Sequence, residues 1–311
     1  MAKVSKRGGF SDRNAIKPIN MEVQLTEFDQ RTRIQLLNMI NELYRWVYRG
    51  DLYYRRIYIQ DFIRFVRGTV YSESVDYRID YDDDDLFKII KNTILHDPYD
   101  DVLTLIEAII QYWDSYLKET EGYEYYNEYN STYVAKSIYA IANEYFEREY
   151  IGYRFVGELI TPISDTNEIE SIEEALICKY QPVRDHLSKA NAFLADREKP
   201  DYENSIKESI SAVEAICEII TGIKGKEASL GKMLKKIEEN GVMIHSGLKS
   251  AFIILYGYTS DANGIRHAGD IGGASSTFEE AKFMLVSCSA FINYLIGICA
   301  DWWKEIINSD L

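Results

Sequence analysis

The densest group of chemically capable side chains in this sequence lies in one glycine-rich turn. Asp261, Asn263, Arg266 and His267 fall within seven residues, beside glycines that let a backbone approach a ligand closely. Histidine exchanges a proton near neutral pH, and arginine binds phosphate through a planar, permanently charged fork. Together they suit phosphodiester cleavage, with His267 as acid or base and Arg266 stabilising charge on the phosphate.

The same turn has a plainer interpretation, because an Arg-His dipeptide in a loop is commonly a surface cation or a helix-capping pair. Glu214 is a supporting candidate. On the helix predicted for residues 206–220 it lies about 80° from the centre of the apolar stripe. From the edge of the buried face its carboxylate could orient His267 or Arg266. A boundary salt bridge without a catalytic role is the alternative for Glu214.

An acidic run is the one candidate for a cation site, because its oxygen atoms could bind a divalent ion. Its members are Asp80, Asp82, Asp83, Asp84 and Asp85. They lack the ordered spacing of an EF-hand loop, so a solvated, self-repelling loop is the alternative.

Histidines and cysteines show no ligand spacing, and no phosphate-binding glycine motif or serine elbow is present. The sequence therefore predicts no metal and no cofactor.

A basic and aromatic set lies between residues 45 and 67. Its arginines could grip phosphates while its rings stack on bases, or the rings could pack in a core while the arginines pair with acids. The members are Arg45, Arg49, Arg55, Arg56, Arg64, Arg67, Trp46, Tyr53, Tyr54 and Tyr58. The chain carries a net charge of −15, but residues 1–70 hold 13 Lys+Arg against 7 Asp+Glu. This basic end could hold a polyanion or dock on the acidic remainder of the chain.

Helical periodicity runs through most of the chain, so helices must position these groups. The apolar spacing predicts helices at about 29–48, 57–70, 86–95, 102–117, 133–146, 206–220, 230–237, 248–256 and 277–307. Residues 151–160 alternate and predict a strand or small hairpin, and the tyrosine-rich residues 123–129 predict a loop or helix end. The composition changes near residue 165. We expect a mainly all-α protein with an N-terminal domain at 1–165 and a second domain at 166–311.

An uncharged stretch from Phe283 to Ala300 is just long enough to be considered a membrane span. Ser289, Asn293 and Gly297 recur on one helix face, which favours a helix buried in a soluble domain. Membrane damage through this helix is a weaker alternative. The N-terminus lacks a signal-peptide core, and few cysteines suit a reducing compartment. We therefore expect a cytoplasmic protein that does not span a membrane.

Two regions resemble known families. Ser205–Tyr294 resembles the HEPN-type helical domain at the C-terminus of bacterial abortive-infection proteins. The stretches that carry this resemblance are Ser211–Cys217, Ser229–Leu234, Leu255–Ala268 and Ala281–Tyr294. The N-terminal part resembles the AbiJ-type domain that often precedes it, through Phe10–Arg13, Gly152–Gly157 and Glu168–Ala175.

The resemblance implies a bundle of four to five helices that dimerises and, in many relatives, cleaves RNA without a metal in antiphage defence. Such sites present an Arg and a His between two helices, often across a dimer. His267 matches the family histidine. In the usual pattern four to six residues separate the Arg from the His, and the corresponding positions hold Ala262, Asp261 and Ser260 here. Arg266 lies directly beside His267.

Two functions follow from these residues. In the first, a ribose 2′-hydroxyl attacks the adjacent phosphate, His267 moves the proton, Arg266 stabilises the phosphorane, and Asn263 positions the backbone or substrate. RNA, a second copy of the chain and a phage-derived trigger are then the partners. In the second, a non-catalytic HEPN-like domain dimerises and binds a nucleotide, RNA or a protein. The adjacent placement of Arg266 and His267 favours the second function.

Overall fold

The computed structural model describes residues 7, 9–10, 14, 22–49, 52–120, 124–127, 132–135, 137–196, 199–225, 229–258 and 276–309. The chain divides into two compact units, Met1–Ser164 and Asp165–Leu311. Helices dominate both units, and two short hairpins are the strand pairs among the described residues. The expectation of a mainly all-α protein is confirmed.

The first unit contains five α-helices, one π-helical segment and both hairpins in its described part. The helices are α1 (Gln30–Val47), α2 (Leu52–Phe65), the π segment (Val66–Val70), α3 (Asp83–His96), α4 (Tyr99–Thr120) and α5 (Ile138–Arg148). The antiparallel strand pairs are β1 (Glu124–Asn127) with β2 (Thr132–Ala135), and β3 (Arg154–Val156) with β4 (Leu159–Thr161).

An aromatic core fixes the helices of the first unit. The Trp113 side chain of α4 is fully buried, and its ring centroid lies 5.2 Å from that of Phe62 on α2 and 6.4 Å from that of Tyr44 on α1. Aliphatic residues at helical spacing, such as Leu36 and Ile40, complete this core. Burying a side chain of this size stabilises the fold by about 1.5–3 kcal/mol, so the periodic stripes decide which helix faces turn inward.

The predicted hairpin at residues 151–160 is confirmed, with Arg154 paired to Thr161 and Val156 to Leu159. Its turn contains Gly157, whose φ of 60° lies in the left-handed region that glycine adopts without strain. Just before β3, Gly152 lies close to another segment. A Cβ at position 152 would be 2.4 Å from Leu25 Cδ2, so a larger residue there would force the exposed Leu25 side chain to move.

The prediction that residues 123–129 form a loop or helix end is wrong, because Glu124–Asn127 is strand β1. Its partner β2 also takes residues that the apolar spacing assigned to a helix. In the ladder Tyr125 faces Val134 and Tyr126 faces Tyr133. The backbone of residues 132–135 pairs with β1 instead of continuing a helix, and α5 begins only after this ladder.

The second unit is helical throughout its described part. It contains α6 (Thr166–Leu176), α7 (Gln181–Ala195), α8 (Tyr202–Thr221), α9 (Leu230–Glu239), α10 (Ser246–Tyr258) and α11 (Phe278–Ser309).

Local signals mark the ends of several of these helices. Gly222 ends α8 with a φ of 71°, as its position after the apolar stripe indicates. Asp201 caps the start of α8 by accepting from the Asn204 amide at 3.0 Å, rather than Asn204 or Ser205. Ser205 is instead buried and donates to the Ala190 carbonyl of α7 at 2.8 Å. Ser205 thus binds a neighbouring helix, and the cap lies three residues before Asn204.

Helix α11 contains the uncharged stretch that suggested a membrane span. Its start is a capping box, in which Thr277 N donates to Glu280 Oε2 at 2.8 Å and Glu280 N donates to Thr277 Oγ1 at 3.2 Å. Among the described helices, Phe278–Cys299 is long and apolar enough to cross a membrane, and 44% of its most apolar window is buried inside the unit. Packing against neighbouring helices accounts for the buried part of this apolar stretch.

Helix α6 packs against α11 through apolar and polar contacts. Ile172 and Ala175 are fully buried. Lys282 Nζ lies 2.7 Å from Glu168 Oε2, and Asn293 Nδ2 donates to the Ser171 carbonyl at 2.9 Å. The polar residues that interrupt the uncharged stretch therefore include a side chain that anchors α6.

Candidate functional site

The predicted turn lies outside the described residues. Asp261, Asn263, Arg266 and His267 belong to positions 259–275, between the described stretches 229–258 and 276–309. Their roles stay predictions. The structure instead shows the frame of the turn, namely the end of α10 before it and the start of α11 after it.

A ring stack joins the two helices that flank the turn. The Phe252 ring of α10 and the Phe291 ring of α11 have centroids 3.5 Å apart and planes inclined by 12°. Phe291 is buried. Stacked aromatic pairs stabilise a contact beyond the area that they bury. The helix that leads into the turn is therefore packed directly against the helix that leaves it.

Glu214 connects this frame to α8. The half-buried carboxylate accepts a hydrogen bond from the Tyr256 hydroxyl, with Glu214 Oε1 2.6 Å from Tyr256 Oη. Tyr256 lies in the last turn of α10, seven residues before Asn263. Glu214 thus anchors the C-terminal end of α10. That its carboxylate orients His267 or Arg266 stays a prediction. The sequence placed Glu214 at the edge of the buried face, but nothing in its spacing indicated a tyrosine as the partner.

The buried cysteines of this unit are poor nucleophiles. Burial raises the pKa of Cys288 to about 12 and that of Cys299 to about 11, and burial raises the pKa of Cys217 as well. Because the thiolate is the reactive form, these thiols stay protonated and inert at neutral pH. Thiol chemistry is therefore not a function of the described core of this unit.

A second polar centre lies in the first unit, around the fully buried carboxylate of Glu149. Arg7 Nε donates to Glu149 Oε2 at 3.1 Å, and Arg31 donates to both carboxylate oxygens at 2.8 and 3.0 Å. Gln24 Nε2 adds a bond to the Glu149 carbonyl at 2.7 Å. Sequence analysis missed this cluster, because its members lie up to 142 residues apart. The only signal in the sequence is that Glu149 closely precedes the Gly152–Gly157 stretch.

Asp29 extends this centre to the start of α1, where its carboxylate accepts from the Thr32 amide at 2.8 Å and also binds Arg7. Burial alone would raise the pKa of Asp29. The backbone hydrogen bond from Thr32 and the Arg7 guanidinium outweigh burial, so the pKa lies below its usual value. Asp29 therefore stays ionised at neutral pH and completes the neutralisation of Arg7.

An open pocket adjoins the centre and is lined by Arg7, Glu144, Glu147, Arg148 and Tyr150. Two cations and two anions line it, so the pocket has no excess of one sign that would attract a phosphate or a metal ion. The Arg148 guanidinium lies 4.1 Å from the Tyr145 ring centroid. The centre therefore supports the fold of the first unit rather than a catalytic reaction.

The acidic run does not converge on one point. Asp82 caps α3 by accepting from the Asp84 amide at 2.9 Å, and Asp83 accepts from the Tyr44 hydroxyl at 3.2 Å. Asp85 pairs with Lys88 at 2.7 Å. Within the part of the chain that the structure describes, no group of three or more His, Cys, Asp or Glu side chains is arranged to hold a metal. The run starts a helix, where its charge complements the helix dipole.

The arginines of the basic and aromatic set pair with acids wherever their partners are described. Arg56 lies 2.6 Å from Asp80, Arg64 lies 3.2 Å from Asp61, and Arg67 lies 2.7 Å from Glu73. Trp46 is buried in the core. The side chains of Tyr53, Tyr54 and Arg55 lie outside the described residues.

Comparison with protein families identifies the first part of the chain. The model of AbiJ N-terminal domain 4 matches residues 8–177, which is more than half of the chain. The chain belongs to this AbiJ family. Neither a curated protein nor a solved structure matches it. The AbiJ match covers the Glu149 centre, the β3–β4 hairpin and all of α6, and it assigns the chain to the abortive-infection proteins. The residues that carry the sequence resemblance to HEPN domains, Ser205–Tyr294, follow the matched residues.

Proposed function

We propose that this AbiJ-type protein is a cytoplasmic antiphage effector whose second unit cleaves RNA without a metal, by HEPN-type chemistry at the Asn263–His267 turn. The observation that supports this most is the frame of the turn. The Phe252–Phe291 stack holds its two flanking helices together, and Glu214 holds Tyr256 at its entrance. A general acid or base must be positioned reproducibly, and a rigid frame favours that.

The proposed reaction needs no group beyond the chain and the RNA. The ribose 2′-hydroxyl attacks the adjacent phosphate, and His267 accepts its proton or delivers a proton to the leaving 5′-oxygen. Arg266 stabilises the negative charge of the phosphorane, and Asn263 positions the substrate. Asp261 supports the turn, and Glu214 acts on it through Tyr256. Cleavage leaves a 2′,3′-cyclic phosphate and a 5′-hydroxyl.

A second copy of the chain is part of this proposal, because adjacent Arg266 and His267 side chains diverge by about 100° if the turn is helical. An arginine from one copy beside a histidine from the other would restore a pair around one phosphate. The surface of α10 supports a dimer, since Ile254 is 74% exposed and Ala251 and Ile253 are exposed beside it. An exposed apolar strip on a helix is typical of a protein contact.

The test is incubation of purified full-length protein with tRNA and total RNA in EDTA, with and without lysate of phage-infected cells as a source of the trigger. We expect cleavage that His267→Ala lowers by about 10²–10⁴-fold. His245→Ala is the matched control, because His245 is exposed at the start of α10 and accepts from the Gly247 amide. RNA that stays intact under both conditions, or equal cleavage by His267→Ala, would rule out this mechanism.

The alternative is a non-catalytic HEPN-like module that dimerises and binds RNA, a nucleotide or a protein through the same turn. The adjacent spacing of Arg266 and His267 favours it. Binding of RNA that persists in the Arg266→Ala, His267→Ala double variant, with no turnover by either protein, would select this function.

A further inference from the structure

Residues Tyr71–Tyr81, here called the strap, run across one side of α2 and the π segment. Every residue of the strap is exposed or half-buried. Ser72, the second residue of the strap, has a φ of 53°. This is a left-handed conformation that serine rarely adopts. The half-buried end residues Tyr71 and Tyr81 pack against the core, whereas the residues between them depend mainly on polar contacts to stay in place.

The strap covers a polar stripe on α2 and the π segment. Arg56, Gln60, Arg64 and Arg67 are spaced four, four and three residues apart, which places them on one side of a helix over about 16 Å.

Each member of this stripe contacts the strap. Asp80 Oδ2 lies 2.6 Å from Arg56, and the Gln60 amide exchanges hydrogen bonds of 2.7 and 2.8 Å with the Tyr81 backbone. Arg64 Nη2 donates to the Ile79 carbonyl at 3.2 Å, and Arg67 Nη1 donates to Glu73 at 2.7 Å. From Arg56 to Arg67 the strap partners change from residues 80–81 to residue 79 and then to residue 73, so the strap runs broadly antiparallel to the helix.

Rings of the strap lie over the same guanidinium groups. The Arg64 guanidinium carbon is 5.4 Å from the Tyr77 ring centroid, and that of Arg67 is 5.3 Å from the Tyr81 centroid. The strap therefore presents both carboxylates and aromatic rings to a row of arginines. A single nucleic-acid strand likewise offers phosphates and bases, and such strands bind to arginines by ion pairs and stacking.

The strap leaves two arginines incompletely bonded. The Nε atoms of Arg64 and Arg67 are buried and have no hydrogen-bond partner among the described residues. Glu73 and Asp61 each bind only an Nη atom. A phosphate can accept from Nε and Nη together. The ion pairs of the strap are also partly exposed to water, and such pairs contribute little stability.

We propose that the strap is displaced by single-stranded nucleic acid. Phosphates of the strand replace the Asp80 carboxylate on Arg56, the Ile79 carbonyl on Arg64 and the Glu73 carboxylate on Arg67. Its bases replace the tyrosine rings over the guanidiniums. This surface lies in the AbiJ-type domain and binds whether or not the second unit cleaves RNA. It gives that domain a sensing role with a defined ligand class.

A reversible disulfide tests the displacement. A Cβ at position 68 would lie 3.5 Å from Val75 Cγ2, close enough for Gly68→Cys and Val75→Cys to form a disulfide that locks the strap. The background is full-length Cys178→Ser, His267→Ala, which removes the half-buried thiol and the proposed cleavage. Binding of fluorescent oligo(U) and oligo(dT) is measured by anisotropy. We expect at least tenfold weaker binding in the oxidised protein, restored by reduction. Equal binding in both states overturns the proposal.

Charge variants provide the second measurement. Glu73→Gln with Asp80→Asn should tighten binding several-fold, because the competing carboxylates are gone. Glu119→Gln with Glu158→Gln is the control, since it changes the net charge equally at exposed positions away from the strap. Arg64→Met with Arg67→Met should abolish binding. Three phosphate contacts also predict a slope of about −2 for log K against log salt.

The two oligonucleotides identify the source of the strand. Tighter binding of oligo(U) than of oligo(dT) indicates that the ligand is RNA. Equal binding of the two indicates that the protein recognises the phosphates and bases that RNA and DNA share. Both outcomes support the proposal. Binding of duplexes alone, or no difference between the strap variant and its charge-matched control, overturns it.

Discussion

At the scale of single residues, Glu149 shows how the fold neutralises a charge that it buries. The carboxylate is fully buried, and Arg7 and Arg31 supply three hydrogen bonds to its two oxygens. A buried ion is tolerated only when its partners replace the water that it loses. Glu149 therefore ties the N-terminal residue Arg7 and helix α1 to the segment that leads into β3.

Glu149→Ala should lower the free energy of unfolding of the first unit by about 3–5 kcal/mol, because two guanidinium groups lose their buried counter-ion. The measurement is equilibrium denaturation of the full chain, monitored by the fluorescence of the tryptophans. Glu158→Ala is the control, since its ion pair with Lys118 at 3.3 Å is exposed, and we expect a loss of at most about 1 kcal/mol there. Equal losses in the two variants would contradict this role.

At the scale of elements, two side-chain contacts hold the C-terminal half of α10 in the described part of the second unit. Phe252 contacts α11 through the ring stack, and Tyr256 contacts α8 through Glu214. The ring stack links residues before and after the candidate turn, whereas Tyr256 and Glu214 both precede it. The position of the turn thus depends on three helices, whereas its chemistry depends on the residues within it.

Tyr256→Phe removes one hydrogen bond to a carboxylate, so it should cost about 1–3 kcal/mol of stability. If the turn cleaves RNA, cleavage by this variant should fall even at temperatures where the protein remains fully folded. Tyr294→Phe is the matched control, because it removes a hydroxyl beside Phe291 without changing Glu214. Thermal unfolding and RNA cleavage are measured on the same samples. Unchanged cleavage by Tyr256→Phe would show that the exit of α10 does not position the turn.

At the scale of the whole molecule, two boundaries disagree over α6. The AbiJ family match ends at residue 177, after α6, whereas compactness assigns Asp165 onwards to the second unit. The packing explains the second boundary, since Ile172 and Ala175 are buried and Glu168 pairs with Lys282 of α11. Helix α6 is thus part of the AbiJ domain by sequence and part of the second unit by packing.

Two fragments distinguish these boundaries. A fragment of residues 165–311 should fold cooperatively, whereas a fragment of residues 178–311 should unfold at lower temperature or aggregate. The shorter fragment exposes the surface that α6 covers, and each large apolar side chain lost from a core costs about 1.5–3 kcal/mol. Circular dichroism during heating and size-exclusion chromatography are the measurements. Equal stability of the two fragments would show that α6 is dispensable for the second unit.

The sequence by itself determined most of the helices, the β3–β4 hairpin, the capping box at Thr277 and the helix end at Gly222. These features depend on neighbours within a few residues, and the apolar period reports directly which face is buried. Hairpin β1–β2 was not predicted, because its strands are defined by backbone pairing between two segments rather than by a local apolar pattern.

Only the tertiary structure decided the partners of Glu149, the hydrogen bond between Glu214 and Tyr256, and the order in which the strap meets its arginines. A periodic stripe indicates that a face is buried but not which face it meets, since that depends on the register between elements that are distant in the chain. For the same reason the sequence could name Arg266 and His267 as candidates through their chemistry and family resemblance. Their use on one phosphate depends on a spatial arrangement that a linear spacing does not fix.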